Sequence, residues 1–527
     1  MHNAAMHVAA HRQRPPLHPL EKWFLGITIV QLLFLPWAFG TMHAWSQVTS
    51  LALSVVGMGL ALWPRVYEGE LAVPLRFEGA EAAKSQGPSG KGESFKRHTP
   101  YPSALRIVPW PRLVRFPLFW LGLALLGYVA LQAMNPSWLW ERNATTWWLR
   151  RVTDADWLPT SVDSPFGRFN AWRAFIIYAA TWLTLCALWI GITRRRSMQI
   201  LLGSLVGNAV ILSLVGFAHR ASGETKVLWL QDFPGAASFA SFIYQNHAGG
   251  YFSLVSFVAL GLAVWHFFEG RKRMARSTPA ALWLVASMLL VFAVIFSLSR
   301  GAIISLVVFG GAAVMALLLL RFMSATQSTT APIVAVLVAL MILVTLGFMV
   351  RNIDFSAVLY RFEQLSKLQA NDPSYVGRKL ARESASQMYG DHWVRGVGAG
   401  GFRYLFPEYI RDKPLIYERG QFFWEHAHND WLEIPIELGL AGVLLLAGAV
   451  GWLGWKWGRF GGLRHPLALM IALGAGQILA HALIDFPFQC PAILVTWWAL
   501  MIVSLRWLEL DAPPARGALS APLLVRS

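Results

Sequence analysis

The chain has 527 residues, of which 56% are hydrophobic and only 14% are charged. Soluble domains carry about 25% charged residues, so this composition excludes an ordinary soluble protein. The net charge of +17 does not indicate nucleic-acid binding, because the basic residues lie between apolar runs instead of forming one basic module. The two cysteines, Cys186 and Cys490, support neither a disulfide framework nor a cysteine-based metal site.

The apolar residues occur in runs of about 20, the length that crosses roughly 30 Å of hydrocarbon. We therefore predict an all-α integral membrane protein with about twelve transmembrane helices. The predicted spans are 23–40, 44–63, 116–134, 171–193, 198–218, 247–268, 279–297, 301–320, 331–350, 429–455, 466–484 and 490–507. The first run follows a basic tail and has no small-residue cleavage site, so we interpret it as a span rather than a signal peptide.

Charge asymmetry between the connecting segments predicts the orientation. With the N-terminus inside, the basic clusters Arg194–Arg196 and Arg271–Arg273 are cytoplasmic, as the positive-inside rule requires. The short connections on the other side, Thr41–His43 and Asp485–Gln489, contain no Lys or Arg. We predict cytoplasmic tails on both sides of one polytopic domain, with bounds 1–22, 23–507 and 508–527.

Two long connections interrupt the predicted spans. The cytoplasmic insert 64–115 contains Ser85–Gly90, a Gly/Pro/Ser-rich stretch, and we interpret the insert as a flexible linker. The second connection, 351–427, is a large loop on the non-cytoplasmic side between spans nine and ten. Apolar residues at helical spacing predict that 353–368 lies along the membrane surface. A second helix, about 374–389, carries two cations one turn apart, as a solvated face or an anion clamp would.

Polar residues cluster at span ends that alternation places on the non-cytoplasmic side. Ionisable groups at membrane depth are costly and tend to mark functional sites, so their convergence predicts a shared aqueous cavity. Single groups also have structural explanations, such as snorkelling for an arginine or a hydrogen bond for a histidine–aspartate pair. The clustered residues are His219, Arg220, Asn246, His247, Ser299, Arg300, His428, Glu433, Glu437, His481 and Asp485.

The segment Trp424–Glu433 is the densest of these clusters. Asn429 or Asp430 can cap the following helix, and Glu433 lies one turn from Glu437 on the same helix face. His-x-His-x-Asp also occurs in zinc hydrolases, but no third histidine completes a ligand set here. We therefore predict no metal and interpret a histidine at the cavity mouth as a general base.

Glycines at 396, 398, 400 and 401 form a second motif in the large loop. No strand precedes them, which argues against a dinucleotide-binding fingerprint. We expect them to permit tight turns and a close approach of the backbone to a ligand.

Together these motifs resemble the O-antigen ligase and polymerase superfamily over about 246–442. The resemblance rests on the ordered motifs Ser299–Ala302, Gly396–Phe402, His426–Leu432 and Glu437–Gly442. Members of that family are bundles of about a dozen helices with one large periplasmic loop. They transfer glycan from a polyprenyl-diphosphate carrier to a hydroxyl group, without metal, cofactor or nucleotide sugar. The resemblance implies a bacterial inner-membrane enzyme of cell-surface polysaccharide assembly.

The implied chemistry assigns expected roles to individual residues. His428 matches the histidine of the family and is the expected base, with Glu433, Glu437 or Asp485 orienting it. Arginines suit a diphosphate leaving group because the guanidinium binds phosphate bidentately. The expected diphosphate ligands are Arg300, Arg378, Arg220 and Arg382. The expected supporting residues are His426, Asn429, Asp430, His481, Asp485, Asn246 and His247.

The expected partners are membrane lipids, a polyprenyl-diphosphate-linked oligosaccharide donor and a glycan or lipid-glycan acceptor. Ligation to lipid A-core, polymerisation of repeat units, exopolysaccharide assembly and protein O-glycosylation all stay open. A lipid-linked oligosaccharide flippase or other transporter is the alternative function. A transporter usually shows repeated halves with sites near the bilayer midplane, whereas these polar groups cluster at one face. A haem-binding electron carrier would need histidine pairs deep in facing helices, and these histidines lie at span ends.

Overall fold

The computed structural model describes residues 16–68, 80–82, 104–233, 237–275, 277–323, 373–417 and 424–511. Its helices are α1 (Pro19–Trp37), α2 (Ala44–Leu62), α3 (Trp110–Val114), α4 (Pro117–Met134), α5 (Ala171–Gly191), α6 (Arg195–Ser222), α7 (Gln245–Lys272), α8 (Ala280–Phe296), α9 (Arg300–Met323), α10 (Pro373–His392), α11 (Phe402–Tyr409), α12 (Pro414–Tyr417), α13 (Asp430–Arg459), α14 (Pro466–His481) and α15 (Pro491–Asp511). Its strands are β1 (Arg65–Glu68), β2 (Ala80–Ala82), β3 (Ala104–Ile107), β4 (Pro136–Arg142), β5 (Trp147–Arg151) and β6 (Ser161–Asp163). The predicted span 331–350 and the predicted surface helix 353–368 lie outside the described residues.

Nine helices of the described ranges are long and apolar enough to cross a membrane. They are α1, α2, α4, α5, α6, α7, α9, α13 and α15. Two shorter apolar helices, α8 and α14, coincide with the predicted spans 279–297 and 466–484. The chain is therefore a mostly helical, multi-pass membrane protein. The total of twelve spans stays a prediction.

Close helix packing holds α7 between α8, the start of α9 and α14. A Cβ atom at Gly249 would lie 2.8 Å from the side chains of Ser299 and Ala302. A Cβ atom at Gly474 would lie 2.8 Å from Phe257. Small residues at these crossings let the backbones approach, which is how transmembrane helices gain packing energy where hydrophobic burial offers little.

Buried ion pairs join the helices at one end of the bundle. Glu21 accepts hydrogen bonds from the backbone N–H of Thr193 (3.0 Å) and from the hydroxyl of Ser197 (2.6 Å). At the same end, Arg112 donates to Glu509 at 2.6 Å. Segments predicted to share the cytoplasmic side therefore meet at this end. Which side of a membrane the end faces stays a prediction.

Two small sheets correct the expectation of a purely helical chain. Strands β1, β3 and β2 pair antiparallel in that order, with Arg65 opposite Ile107, so neither end of the insert 64–115 is an unstructured linker. The second sheet has the order β5-β4-β6; β4 pairs antiparallel with β5 and parallel with β6. Short Trp-rich strands carry neither the length nor the uniform hydropathy by which spans are recognised.

The second sheet packs with α10, α11 and α12 into a lobe beside the membrane helices. Its core includes Trp140 and Val162 from the sheet, Ala385 and Met388 from α10, and Phe402 from α11. Arg395 pairs with Asp154 and donates to the carbonyl of Leu158 at 2.5 Å, which ties the sheet to the loop after α10. The lobe covers the bundle end at which the predicted polar residues meet.

Candidate active site

Asp485 is the centre of the polar cluster. It lies in the turn between α14 and α15, is 2% exposed, and accepts from the backbone N–H of Phe486 at 3.0 Å. The side chains that surround its carboxylate are Asn246, Tyr244 (hydroxyl at 3.4 Å), His428 (Nδ1 at 3.4 Å) and His481 (Nε2 at 3.8 Å). The structure thus brings together polar residues from three predicted span ends: Asn246, His428 and the pair His481 and Asp485.

The net effect of these neighbours is an ionised Asp485. Burial alone would raise the pKa of this carboxyl, but the hydrogen bond from His428 and the charge of His481 outweigh burial. The pKa therefore lies below its ordinary value. An anionic oxygen at this position orients a neighbouring imidazole.

The backbone of His428 is held in an unusual conformation. Its φ is +50°, the left-handed region that residues with a Cβ rarely adopt. Aromatic rings surround the imidazole edge to face, with Phe486 at 4.8 Å and Trp424 at 5.5 Å between centroids. The side chain is 22% exposed, so the ring is fixed and still reaches open space.

His426 belongs to a separate, buried pair. Its Nδ1 lies 2.7 Å from Oε1 of Glu433, whose other oxygen accepts from the N–H of Ala427 at 2.7 Å. Arg403 Nη2 lies 3.3 Å from His426 Nε2, and a guanidinium can only donate. We therefore assign the ring proton to Nδ1. Burial and the charge of Arg403 lower the pKa of His426 well below its usual value, which agrees with a neutral ring.

A cavity of about 880 Å³ opens beside His428. One wall carries His428, His426, His247 and the aromatic rings of Tyr244 and Phe486. The same cavity is lined by three arginines, Arg168, Arg173 and Arg403, here called the arginine wall. Arg173 and Arg403 lie over the ring of Phe169. This volume lies within the range of small-molecule sites, and polar groups converge on it.

The predicted diphosphate ligands lie outside the lining of this cavity. Arg378 Nη2 lies 3.4 Å from the hydroxyl of Tyr244, which in turn faces Asp485. Arg300 opens α9 in the tight turn after α8; a Cβ at its neighbour Gly301 would lie 2.9 Å from Nε2 of His481.

The two remaining predicted ligands differ in position. Arg220 donates to the carbonyl of Phe296 at 3.0 Å, just before the turn that carries Arg300. Arg382 lies one helical turn beyond Arg378 on α10 and is exposed.

The glycine motif approaches protein backbone, which corrects the expectation that it approaches a ligand. A Cβ at Gly396 would lie 2.7 Å from the backbone nitrogen of Gly439 and closer still to the carbonyl oxygen of Glu437. Gly396, Gly398 and Gly400 all have positive φ. Glycine suits these positions for its conformation and for space: α13 lies against Gly396, Ser161 against Gly398 and Phe169 against Gly400.

The glycine loop repairs a break in α13. Pro435 lies inside this helix, and Gly439 has φ +61° and ψ −171°, so carbonyl groups before the break lose their helical partners. Ile436 O accepts from Val397 N (2.9 Å), and Glu437 O accepts from Gly398 N (3.0 Å). Leu438 O accepts from Tyr128 OH (2.6 Å). Such compensation is required at membrane depth, where water does not pair the freed groups.

Three of the predicted site residues have structural contacts: Glu437, Asp430 and His247. Glu437 accepts from the N–H of Phe402 at 3.3 Å, at the start of α11. Asp430 accepts from the N–H of Phe488 at 2.8 Å, which ties α13 to the turn before α15. Asn429 is the N-cap residue of α13, but its side chain makes no capping hydrogen bond. His247 Nε2 lies 3.2 Å from the carbonyl of Phe486.

Sequence reasoning missed several residues of the cavity. Tyr244 and Phe486 stack at 5.1 Å between centroids and border His428, and Arg173 and Arg403 line the same cavity. The only available signal was adjacency, because Tyr244 precedes Asn246 and Phe486 follows Asp485. Nothing in the sequence connects Arg173 with Arg403.

Comparison with known families identifies the region that carries the site. Residues 285–447 match the family model described as O-antigen ligase. The matched range contains Arg300, Arg378, His428 and Glu433, and it overlaps the range 246–442 that the motifs predicted. No curated protein matches this chain. This match over 285–447, together with the motifs and the helical membrane fold, supports a relationship to the O-antigen ligase superfamily.

Proposed function

We propose that this protein transfers a glycan from a polyprenyl-diphosphate carrier to an acceptor hydroxyl by an inverting displacement. The hydroxyl oxygen attacks the anomeric carbon, the bond from that carbon to the diphosphate breaks, and polyprenyl diphosphate leaves with the electron pair. The observation that carries the proposal is the His428–Asp485 pair at the edge of a cavity. Arg378 lies near this pair, on the far side of Asp485.

His428 is the proposed general base. With its Nδ1 directed at ionised Asp485, its Nε2 is left to accept the proton of the acceptor hydroxyl, and Asp485 stabilises the resulting imidazolium. A separation of 3.4 Å is long for a hydrogen bond, and such contacts commonly tighten when substrate binds.

Arg300 and Arg378 are the proposed ligands of the leaving diphosphate, with Arg220 at the edge of the same region. They lie beside His481 and Tyr244, on the side of Asp485 away from the cavity. Cations placed there offset the negative charge that develops on the leaving group. The exposed Arg382 is not included in this group.

The other predicted residues act as positioning residues in this proposal. Glu433 holds His426 and the backbone at Ala427, and Asn246 holds Asp485. His247 and His481 border the same carboxylate region. Glu437 supports α11 and is given no part in proton transfer.

We further propose that the site faces the periplasm of a bacterial inner membrane, with both tails cytoplasmic. Positive residues at the opposite end of the bundle support this orientation. The acceptor is a glycan or lipid-linked glycan of cell-surface polysaccharide assembly, and the reaction needs neither metal nor nucleotide sugar.

The test is transfer by the purified protein in vesicles, supplied with a polyprenyl-diphosphate oligosaccharide, candidate glycan acceptors and a metal chelator. We expect a glycosylated acceptor and free polyprenyl diphosphate in equal amounts. Donor that crosses the vesicle membrane intact, with no product on either side, would instead support a flippase.

A further inference from the structure

We infer that the arginine wall is an anion subsite that selects an acceptor glycan carrying a phosphate or a carboxylate. This inference deepens the proposed function and rests on it. The relevant observation is that three arginines line the same cavity of about 880 Å³ as His428, the proposed base.

Arg173 carries a buried charge that is not neutralised within the described residues. Its side chain is 6% exposed and donates to Gln47 Oε1 (2.9 Å), to Met42 O (2.8 Å) and weakly to Gly167 O (3.5 Å). All three acceptors are uncharged, and no carboxylate among the described residues lies within 4 Å. A buried charge without a counter-charge is costly, so it favours an anionic occupant of the cavity.

Arg403 and Arg168 add to this positive field. The side chain of Arg403 is 12% exposed, and its nearest carboxylate, Glu425, is 3.8 Å away and largely exposed. Arg168 lies over the ring of Trp140 at 4.2 Å and is exposed at the cavity edge. The arginine wall therefore has three cations and one nearby solvated carboxylate, Glu425, so positive charge is in excess there.

The position of the wall indicates the acceptor rather than the donor. Arg300 and Arg378, the proposed diphosphate ligands, lie beyond Tyr244 and Asp485 and do not line the cavity. A hydroxyl bound in the cavity to reach His428 therefore lies in the same space as the arginine wall. An anionic group on the same glycan would then pair with the guanidiniums and orient that hydroxyl.

The experiment measures binding of matched trisaccharides to the full-length protein in nanodiscs. One pair ends in glucuronate or its methyl ester, and the other ends in a hexose 6-phosphate or its dephosphorylated form. We expect at least one acidic member to bind about tenfold or more tightly than its neutral partner, the discrimination typical of charge-assisted hydrogen bonds. The two pairs distinguish a carboxylate from a phosphate source.

The double variant Arg168→Ala/Arg403→Gln should reduce this preference below about threefold. Arg142→Ala is the matched control, because Arg142 lies over the same Trp140 ring at 6.0 Å and does not line the cavity. Equal binding of acidic and neutral members overturns the inference, as does a preference that survives in the double variant. Loss of donor binding in the double variant, with the acceptor preference intact, also overturns it and assigns the wall to the donor.

This binding measurement separates the inference from the proposed function. Charge-dependent acceptor binding without any transfer by wild-type protein contradicts the proposed function alone. Transfer at equal efficiency, in kcat/KM, to acidic and neutral acceptors contradicts the inference alone.

Discussion

Nδ1 of His428 lies 3.4 Å from Oδ1 of Asp485, although the first residue precedes α13 and the second follows α14. Backbone hydrogen bonds hold this relationship in place, because the N–H of Asp430 donates to Ala482 O at 2.9 Å and to Asp485 O at 3.2 Å. The histidine and the carboxylate are therefore held together by the start of α13. Preorganisation of this kind suits a base that has to accept a proton in one orientation.

Replacing Asp485 with Asn should lower the kcat of glycan transfer about 100-fold or more. The variant keeps the shape of the side chain but loses the negative charge that stabilises the protonated His428. The measurement is steady-state transfer with saturating donor. Asp391→Asn is the control, because Asp391 accepts a hydrogen bond from the hydroxyl of Tyr409 (2.9 Å) and does not line the cavity. A kcat within threefold of wild type for Asp485→Asn would exclude this electrostatic role.

The stability contributed by Asp485 should depend on pH. Its pKa is depressed in the folded protein, because burial, which raises it, is outweighed by the hydrogen bond from His428 together with the charges of His481 and Arg378. A depressed folded-state pKa contributes stability above the unfolded value of about 3.9, and this contribution is lost as the pH falls toward the folded pKa. Thermal unfolding in detergent should thus show Asp485→Asn below wild type at pH 7. The difference should shrink below about pH 4, and a difference that grows on acidification contradicts the assignment.

Removal of Arg378 should lower kcat/KM about 10- to 100-fold. The guanidinium near Tyr244 is placed to bind the leaving diphosphate, and one charge-assisted hydrogen bond contributes about 1.5–3 kcal/mol. Arg382→Ala is the matched control, since Arg382 is one turn along the same helix and exposed. Equal losses in the two variants would indicate a diffuse electrostatic effect instead of a bound diphosphate.

Gly396→Ala should destabilise the protein by about 2–5 kcal/mol. The new Cβ would meet the backbone of α13 at a residue with φ +74°, so conformational strain and steric overlap act together. The measurement is folded yield and Tm in detergent. Gly451→Ala, in the same α13 with no atom within 4 Å of the added Cβ, should keep or slightly raise the Tm. A Tm for Gly396→Ala equal to that of Gly451→Ala would show that the loop does not clamp the broken helix.

Individual spans could be predicted from the sequence because a bilayer imposes a length and a hydropathy that local residues alone satisfy. The span predicted at 171–193, for example, is α5, Ala171–Gly191. The sequence did not reveal what the glycine loop approaches, because that contact joins Gly396 to Gly439 across an intervening helix and loop.

Part of the candidate site could also be predicted from local sequence. His428, Asp485 and Arg300 were recognisable because polar residues at span ends are costly and therefore informative. Arg173 and Arg403 were not, because a cation in the first turn of a span or in a loop is common, and only the fold brings these two to Phe169.

The most direct test of His428 as the base is the single-turnover rate of glycan transfer by His428→Ala with donor already bound. We predict a rate about 100- to 10,000-fold below wild type, with unchanged donor affinity. His392→Ala, a histidine of α10 near Tyr409, serves as the control and should keep the wild-type rate. A His428→Ala rate within threefold of wild type would contradict the central claim.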